Sequence, residues 1–274
     1  MGDNITARAN GAGWTKLETT RLAGIDICTA SRGQLVDAAM RDCAIRDGIP
    51  PGGVSPRLVF DANGHGVSLY SSSSQFADLM AQADLIHADG GFLVAVSRWL
   101  GSAAIAERSA TTDLIHDIAK AAVSADRSFY LLGGTEEINR ACASELSRIY
   151  PGLRIAGRRD GYFSLDEEGD VVAEINKSGA DIVWVGLGKP LEQAFSVRNR
   201  AQMNSAWVVT CGGCFNYITG AYSRAPLWMQ NANIEWVYRM VTNPRQLLIR
   251  YLTTTPHALW LVIKHAWYAG RNRR

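Results

Sequence analysis

Apolar positions in this chain come in short runs, which alternate with longer segments where apolar residues recur at helical spacing. Six runs predict strands: Arg57–Phe60, Leu85–Ala88, Ser128–Leu132, Arg154–Ala156, Asp181–Gly186 and Trp207–Thr210. The segments between them predict helices: Arg32–Arg46, Gln75–Ala83, Phe92–Leu100, Asp113–Val123, Glu136–Tyr150, Val171–Lys177 and Leu191–Arg200. Such alternation is typical of βαβ crossovers. It predicts an α/β fold, with a parallel sheet covered by helices on both faces.

The pattern changes after Gly220, where prolines separate shorter segments that predict three helices: Trp228–Met240, Pro244–Tyr251 and His257–Tyr268. In the last of these, Trp260, Ile263 and Trp267 lie on one face. This face would pack either on the protein's own core or on lipid, and the sequence leaves both open. We therefore predict three parts, a loose N-terminal lead-in (1–20), an α/β core (21–223) and a short helical C-terminal appendage (224–274).

Charge divides the chain at the same boundary. Residues 224–274 carry eight Lys or Arg, four of the eight Trp and a single acid, Glu235, whereas acids exceed bases by five in residues 1–223. Cations mixed with indole rings suit an anionic, partly apolar surface, so the appendage predicts binding to an anionic membrane surface. A nucleic-acid patch and a solvated basic helix are the competing interpretations, and we expect no nucleic-acid partner.

Other features limit the class of protein. The five Cys are odd in number and scattered, which fits a reduced compartment better than a disulfide framework. Cys211 and Cys214 form a CxxC around two Gly, and we expect a tight turn there rather than a zinc or redox site. Residues 1–14 lack the apolar stretch of a signal peptide. The most apolar segment, Leu247–Ile263, includes Arg250 and Pro256, so we expect no membrane span.

The residues that follow the predicted strands are rich in Gly and acids. They are Asp61-Ala62-Asn63-Gly64, Asp89-Gly90-Gly91, Gly133-Gly134-Thr135, Asp160-Gly161-Tyr162, Gly186-Leu187-Gly188-Lys189-Pro190 and Gly212-Gly213. Ligands of open α/β sheets bind at the carboxyl ends of the strands, where Gly allows close approach and helix N-termini offer N–H groups to a diphosphate. None of these loops is a Walker A or GxGxxG motif. Together they predict a nucleotide-type crevice.

Asp89 directly follows a predicted strand and precedes two Gly, so it is a candidate general base. The alternative is that its carboxylate only caps the following helix. His87 is expected to be a hydrogen-bonded residue within the sheet. Glu107 and Arg108 are expected to form a local ion pair on a loop. Glu192 begins a helix, where capping and ligand contact are both open.

The order of these motifs resembles that of a known family. The segments concerned are Asp89-Gly90, Glu107-Arg108, Asp113-Leu114, Gly133-Gly134, Asp160-Gly161-Tyr162-Phe163, Gly186-Leu187-Gly188-Lys189-Pro190, Gly212-Gly213, Arg224-Ala225-Pro226, Glu235-Trp236-Val237-Tyr238-Arg239, Pro244-Arg245 and Arg250-Tyr251. They resemble the WecG/TagA/CpsF family of bacterial glycosyltransferases (glycosyltransferase family 26). The likeness covers residues 22–255, and its most specific part is the RAP-x-W and EW-x-YR stretch.

The resemblance implies a Rossmann-like core that binds a UDP-sugar, and an appendage that receives a polyprenyl-diphosphate-linked sugar acceptor at the cytoplasmic face of the membrane. It implies an inverting reaction without metal or other cofactor. Asp89 would be the catalytic base. The expected donor-binding residues are Asp61, Asn63, Gly133, Gly134, Gly161, Tyr162, Pro190, Glu192, Gly213 and Asn216. The expected acceptor-diphosphate ligands are Arg224, Arg239, Arg245 and Arg250.

The chain departs from the family pattern in three motifs near the donor pocket. Glu192-Gln193 reverses the usual order of amide and acid, Asn216 replaces a usual Asp, and Asp61 replaces a usual Thr. The donor is therefore left open between a hexose and N-acetylmannosamine, and Asp61 competes with Asp89 as the base. A nicotinamide-dependent enzyme and a non-catalytic membrane scaffold are the rival classes. A homo-oligomer is possible.

Overall fold

The computed structural model describes residues 13–50, 52–100, 102–226, 228–229, 235–242, 254 and 256–265. Its centre is one six-stranded sheet in which every adjacent pair of strands is parallel. Helices cover both faces of this sheet. The predicted α/β class, with a parallel sheet between two helical layers, is confirmed.

The predicted strands all form, with small differences at their ends. A hairpin of β1 (Thr19–Leu22) and β2 (Ile25–Cys28) precedes the sheet. The sheet strands are β3 (Arg57–Ala62), β4 (Leu85–Ala88), β5 (Ser128–Gly133), β6 (Arg154–Arg159), β7 (Ile182–Gly186) and β8 (Trp207–Thr210). Their order is β4-β3-β8-β7-β5-β6, so β8 lies between β3 and β7. This brings the loops after β3, β4, β7 and β8 together.

The helices follow the strands as crossovers. They are α1 (Arg32–Asp47), α2 (Gly64–Ser72), α3 (Ser74–Met80), α4 (Gly91–Leu100), α5 (Thr111–Ser124), α6 (Glu136–Ile149), α7 (Glu168–Ser178), α8 (Leu191–Asn199) and α9 (Cys214–Ile218). α1, α5, α6 and α9 pack on one face of the sheet, and α2, α3, α4, α7 and α8 on the other. Alternate residues of each strand face the two hydrophobic cores, one on each side of the sheet. Leu58 and Phe60 of β3 face the core on the α2 side, and Val59 faces the core on the α1 side.

The hairpin, α2 and the short helix α9 are elements that the apolar pattern did not reveal. The first strand of the hairpin starts inside the expected lead-in and alternates exposed and buried residues over only four positions. The sequence of α2 is GHGVSLYSS, with two Gly and four Ser or β-branched residues, all poor helix formers. Its start is fixed instead by Asn63, whose side-chain oxygen accepts the N–H of Gly66.

Residues 256–265 pack on the α2 side of the sheet. The tail helix Glu235–Thr242 overlaps the predicted Trp228–Met240 and ends two residues beyond it. Residues 256–265 are helical and overlap the predicted His257–Tyr268, starting one residue earlier. Ala258, Leu261 and Val262 are buried in the core. The predicted helix Pro244–Tyr251 lies outside the described residues.

The aromatic stripe of the tail faces outward. The exposed fractions of Trp260 and Ile263 are 54% and 52%, so the face that packs on the core is the one formed by Ala258, Leu261 and Val262. The alternative that Trp260 and Ile263 pack on the protein's own core is therefore wrong. Trp267 lies outside the described part of the chain. None of the helices in the described ranges has the length and apolar composition needed to cross a bilayer.

Candidate active site

The loops after β3, β4, β7 and β8 surround a cleft of about 410 Å³ at the carboxyl edge of the sheet. Of the residues predicted for the site, the cleft is lined by Asp61, Asn63, Asp89, Glu192 and Gly213. The first residues of α2, α4 and α5 also line it, so the positive ends of three helix dipoles meet there. A crevice at this edge is what the strand-end loops predicted.

The side chain of Asn63 hydrogen-bonds to both candidate bases, Asp61 and Asp89. Its amide nitrogen lies 3.1 Å from Asp61 Oδ2 and 3.2 Å from Asp89 Oδ2, so it donates to both carboxylates. Its oxygen accepts the Gly66 N–H at 3.0 Å, which fixes the orientation of the amide. Asp89 Oδ1 accepts the N–H of Thr111, the first residue of α5, at 2.9 Å. The carboxylate of Asp89 is therefore fixed between two elements, at the wall of the cleft.

Asp61 is committed to an ion pair with Lys189. Lys189 Nζ lies 2.5 and 2.6 Å from the two oxygens of Asp61, and both side chains are almost fully buried. Asn63 and the hydroxyl of Thr210, at 3.5 Å from Oδ1, complete the contacts of this carboxylate. Burial lowers the pKa of Lys189, but the attraction of Asp61 and Glu192 outweighs it, so the net shift is upward.

Glu192 joins two of the loops from beneath. Its Oε2 accepts the N–H groups of Gly188, at 3.0 Å, and Gly212, at 2.9 Å, which follow β7 and β8. The side chain is fully buried, and its Oε1 lies 3.8 Å from Lys189 Nζ. Burial raises the pKa of Glu192 to about 7, against the opposing attraction of Lys189 and the two N–H groups.

Arg108 contacts the tail, which corrects one expectation. Its Nη2 donates to Glu235 Oε2 at 2.7 Å, and both residues line the cleft. The expected local pair with Glu107 is wrong, because Glu107 turns the other way and accepts the N–H of Arg32 at the start of α1. A carboxylate at the N-terminus of α1 is favoured by the helix dipole.

Several predicted donor residues lie beside the cleft and outside its lining. Gly161 donates its N–H to the Gly134 carbonyl at 2.8 Å, and a Cβ on Gly133 would lie 2.3 Å from the Gly186 carbonyl oxygen. Close backbone contact therefore explains these Gly. Tyr162 is 79% exposed. Pro190 precedes α8 as its N-cap residue, and the N–H of Asn216 donates to the Gly213 carbonyl.

The predicted acceptor arginines belong to the tail. Arg224 Nη1 pairs with Asp113 Oδ1 at 2.6 Å. Arg239 belongs to the helix Glu235–Thr242, with its side chain outside the described part of the structure. Arg245 and Arg250 are both outside the described residues.

The remaining candidates have structural environments. Cys211 and Cys214 are buried and close a turn, with the Cys214 N–H 3.0 Å from the Cys211 carbonyl oxygen, as expected. Burial raises the pKa of both thiols. The described residues contain no group of three or more His, Cys, Asp or Glu placed to hold a metal ion. His87 is buried in β4 with Nδ1 3.2 Å from Ser109 Oγ, and burial lowers its pKa.

Sequence reasoning did not single out Lys189, Arg108 or Thr111 as cleft residues. Lys189 lies within the loop Gly186–Pro190, whose Gly and Pro indicate a turn and not a buried cation. Arg108 was assigned to a local pair, and Thr111 contributes a backbone N–H that no residue type reveals.

Comparison with known proteins identifies the family. Residues 21–272 match the model of the glycosyl transferase WecG/TagA/CpsF family. The chain belongs to this family. It is therefore a glycosyltransferase, as the motifs predicted.

Similar proteins include two from Bacillus and one from Staphylococcus, each an N-acetylglucosaminyldiphosphoundecaprenol N-acetyl-beta-D-mannosaminyltransferase. The protein of Bacillus subtilis (strain 168) is 30% identical over 191 residues, which is 70% of each chain. That of Bacillus spizizenii is 29% identical over 70% of this chain and 72% of the relative. That of Staphylococcus aureus (strain MRSA252) is 29% identical over 69% of this chain and 74% of the relative.

Proposed function

We propose that this glycosyltransferase transfers a sugar from a UDP-sugar to a polyprenyl-diphosphate-linked sugar acceptor, with inversion, during synthesis of a bacterial surface polysaccharide or exopolysaccharide. The observation that supports it most is Asp89, held by Thr111 and Asn63 at the wall of the cleft. The names of the relatives describe a lipid-diphosphate-linked sugar as their acceptor. Family membership supplies the reaction class.

Asp89 is the catalytic base in this proposal, and Asp61 is not. A general base must reach the proton that it removes, and one of its oxygens must be able to accept that proton. Asp61 lines the cleft too, but both of its oxygens contact Lys189 and the residue is only 4% exposed. Asp89 is only half-buried and lines the cleft.

The reaction is a single displacement at the anomeric carbon. Asp89 takes the proton of an acceptor hydroxyl, and the hydroxyl oxygen forms a bond to C1 of the donor sugar. The bond between C1 and the β-phosphate oxygen breaks, and UDP leaves from the opposite face. The N-terminal ends of α2, α4 and α5, together with arginine side chains, stabilise the leaving diphosphate without a metal ion.

The tail brings the acceptor to this cleft at the cytoplasmic face of the inner membrane. Leu259, Trp260 and Ile263 are exposed on the outer side of residues 256–265, and Lys264 lies over the Trp260 ring at 4.8 Å. Apolar and indole groups beside a cation suit the interface of an anionic bilayer. The basic residues of the tail would bind the diphosphate of the acceptor.

The experiment combines binding with turnover. Thermal melting of the full chain with UDP, UDP-sugars and NAD, each with and without EDTA, is expected to give a UDP-specific rise that survives EDTA. Ligand at about 100 times its dissociation constant adds roughly 2.7 kcal/mol. Release of UDP on adding a lipid-diphosphate-linked sugar, and an inverted anomeric configuration in the product, would complete the test. A response to NAD alone, or to no nucleotide, would contradict the proposal.

A further inference from the structure

Thr112, the second residue of α5, carries a buried hydroxyl in the wall of the cleft. The residue lines the cleft and is 7% exposed. Its Oγ1 is buried and has no hydrogen-bond partner in the part of the chain that the structure describes. Such a hydroxyl is uncommon in folded proteins, because it loses its hydrogen bonds to water and gains none in exchange. A ligand in the cleft can supply the missing partner.

The place of Thr112 in the chain explains why α5 does not use this hydroxyl. Within a helix, a threonine hydroxyl commonly bonds to the carbonyl three or four residues earlier. For Thr112 those residues are Ser109 and Arg108, which precede α5. Ala110, the N-cap residue, supplies no side-chain hydrogen bond to the helix. The hydroxyl therefore lies at the positive end of a 14-residue helix that has no capping side chain.

The neighbours of Thr112 belong to the same cleft. Thr111 donates its N–H to Asp89 Oδ1 at 2.9 Å, so Thr112 directly follows the residue that fixes the proposed base. Arg108 lines the cleft and donates to Glu235 at 2.7 Å. A hydroxyl donor, a guanidinium and the positive end of a helix are together suited to an anion. The anion of the proposed reaction is a diphosphate.

The proposed reaction moves negative charge from Asp89 to the donor diphosphate. The carboxylate of Asp89 becomes neutral as it takes the proton of the acceptor hydroxyl. The β-phosphate oxygen keeps the electron pair of its broken bond to C1. The positive end of α5 therefore stabilises Asp89 before transfer and the β-phosphate during it. Of the two donor phosphates, the β-phosphate is nearer to C1, and thus nearer to Asp89 and to Thr112.

We infer that the hydroxyl of Thr112 donates a hydrogen bond to the β-phosphate of the bound UDP-sugar, and that this bond strengthens as the phosphate leaves. Threonine in a helix occupies two χ1 rotamers, so rotation about its Cα–Cβ bond directs the hydroxyl to the ligand. This rests on the proposed function and assigns a donor-binding residue that the sequence motifs did not indicate. Thr112 acts on the leaving group, whereas Asp89 acts on the acceptor.

Thr112→Val tests the inference, because it replaces the hydroxyl with a methyl group and keeps the shape of the side chain. The dissociation constants of UDP, UMP and uridine are measured with the full chain. We expect that of UDP to rise about tenfold, as for a lost hydrogen bond to a charged group, and those of UMP and uridine to stay at their wild-type values. An unchanged value for UDP would overturn the inference. So would an equal loss for UMP, which has no β-phosphate.

Turnover distinguishes the diphosphate of the donor from that of the acceptor. UDP-glucose and UDP-N-acetylmannosamine are used as donors, and N-acetylglucosaminyldiphosphoundecaprenol, the acceptor in the names of the relatives, is varied. In Thr112→Val we expect kcat to fall about tenfold with an unchanged acceptor KM, and Thr112→Ser to restore most of the rate. A raised acceptor KM with unchanged UDP affinity would mean that the hydroxyl binds the acceptor diphosphate, and would overturn the donor assignment.

Thermal stability separates a substrate contact from a structural role. Because the hydroxyl of Thr112 has no partner among the described residues, Thr112→Val is expected to melt at or above the wild-type temperature. Thr20→Val is the matched control. Thr20 is also buried, but its Oγ1 accepts the Ala103 N–H at 3.3 Å and lies 3.3 Å from Ser102 Oγ. This control is expected to melt lower than the wild type and to bind UDP equally well.

Two further results keep the test decisive. If Thr112→Val folds poorly, Thr112→Ala removes the same hydroxyl, and its UDP affinity relative to UMP decides. A wild-type chain that binds UDP and transfers a sugar, beside a hydroxyl-free variant that does both equally well, would sink this inference alone. A wild-type chain that neither binds UDP nor transfers a sugar would sink the proposed function, and the inference with it.

Discussion

Arg108 and Glu235, which are 127 positions apart in the sequence, form an ion pair of 2.7 Å in the wall of the cleft. Their side chains are 15% and 5% exposed, so the pair is largely shielded from water. Arg108 precedes α5, and Glu235 begins the tail helix Glu235–Thr242. Glu235 is also the one acid among residues 224–274. The carboxylate of Glu235 therefore lies where the basic tail meets the cleft.

Removing Arg108 is therefore expected to affect the cleft and the tail together. Arg108→Met takes the cationic partner from a nearly buried carboxylate, a loss of about 1–3 kcal/mol in the free energy of unfolding. Transfer to a lipid-linked acceptor is expected to fall as well. Both are measured on the same preparation, by thermal melting and by release of UDP.

Arg21→Met is the control for that substitution. The Arg21–Asp26 pair is exposed, and its distance is 3.4 Å, so its loss is expected to change stability by less than about 1 kcal/mol. Wild-type melting and wild-type transfer in Arg108→Met would show that the ion pair does not hold the tail at the cleft.

Asp89→Asn is expected to reduce transfer by roughly 10²–10⁴-fold, the range typical of a general base. The amide keeps the shape of the side chain, so the melting shift with UDP should remain. Asp61→Asn is expected to retain more activity, because Asp61 is paired with Lys189 and does not act on the acceptor. A near-normal rate for Asp89→Asn, or an equally inactive Asp61→Asn, would reassign the base.

The order of the sheet-forming segments was predictable because buried parallel strands are short, continuous apolar runs. The runs at β4 and β8 match the structure at both ends. The hairpin and α2 were not predictable in the same way. The hairpin strands mix exposed and buried residues instead of forming a continuous apolar run. The helix α2 depends on a cap from Asn63 rather than on the helix propensity of its own residues.

The position of the site was predictable, but its pairings were not. Asp61, Asn63 and Asp89 lie at the carboxyl ends of adjacent parallel strands, so their approach follows from the topology. The partners of Asp61 and Arg108 lie 128 and 127 positions away, which no local pattern reveals. Glu107 and Arg108 are neighbours of opposite charge, yet consecutive side chains outside regular structure need not face each other. Only the tertiary fold decides their partners.

The outer face of the tail is expected to govern vesicle binding. Trp260→Ala and Ile263→Ala each remove exposed apolar area, and each is expected to weaken binding to anionic vesicles about three- to tenfold. Sedimentation with vesicles of anionic and of neutral lipid measures this, and binding should fall with added salt. Trp99→Ala, at the end of α4 and 87% exposed, is the control. An equal loss of vesicle binding in Trp99→Ala would mean that any exposed Trp contributes to binding, wherever it lies on the surface.

Glu192 gives the protein a predicted pH dependence of stability. Burial raises the pKa of its carboxyl to about 7 from an ordinary value of 4.5. A group whose pKa is raised by folding contributes stability that is complete below its unfolded pKa and lost as the pH rises through its folded pKa. Wild-type stability should therefore fall between about pH 4.5 and pH 7 through this residue.

Glu192→Gln should remove that dependence while keeping the two loops joined. The amide oxygen of Gln can accept the N–H groups of Gly188 and Gly212, as Oε2 of Glu192 does, and the buried charge is gone. The variant should melt close to the wild type at pH 5 and a few degrees higher at pH 8. Glu145→Gln is the control, because a hydrogen bond from Arg148 lowers the pKa of the half-buried Glu145, and no gain at pH 8 is expected. A Glu192→Gln variant that melts below the wild type at pH 8 would mean that the ionised carboxylate, through Lys189 and the two N–H groups, stabilises the cleft.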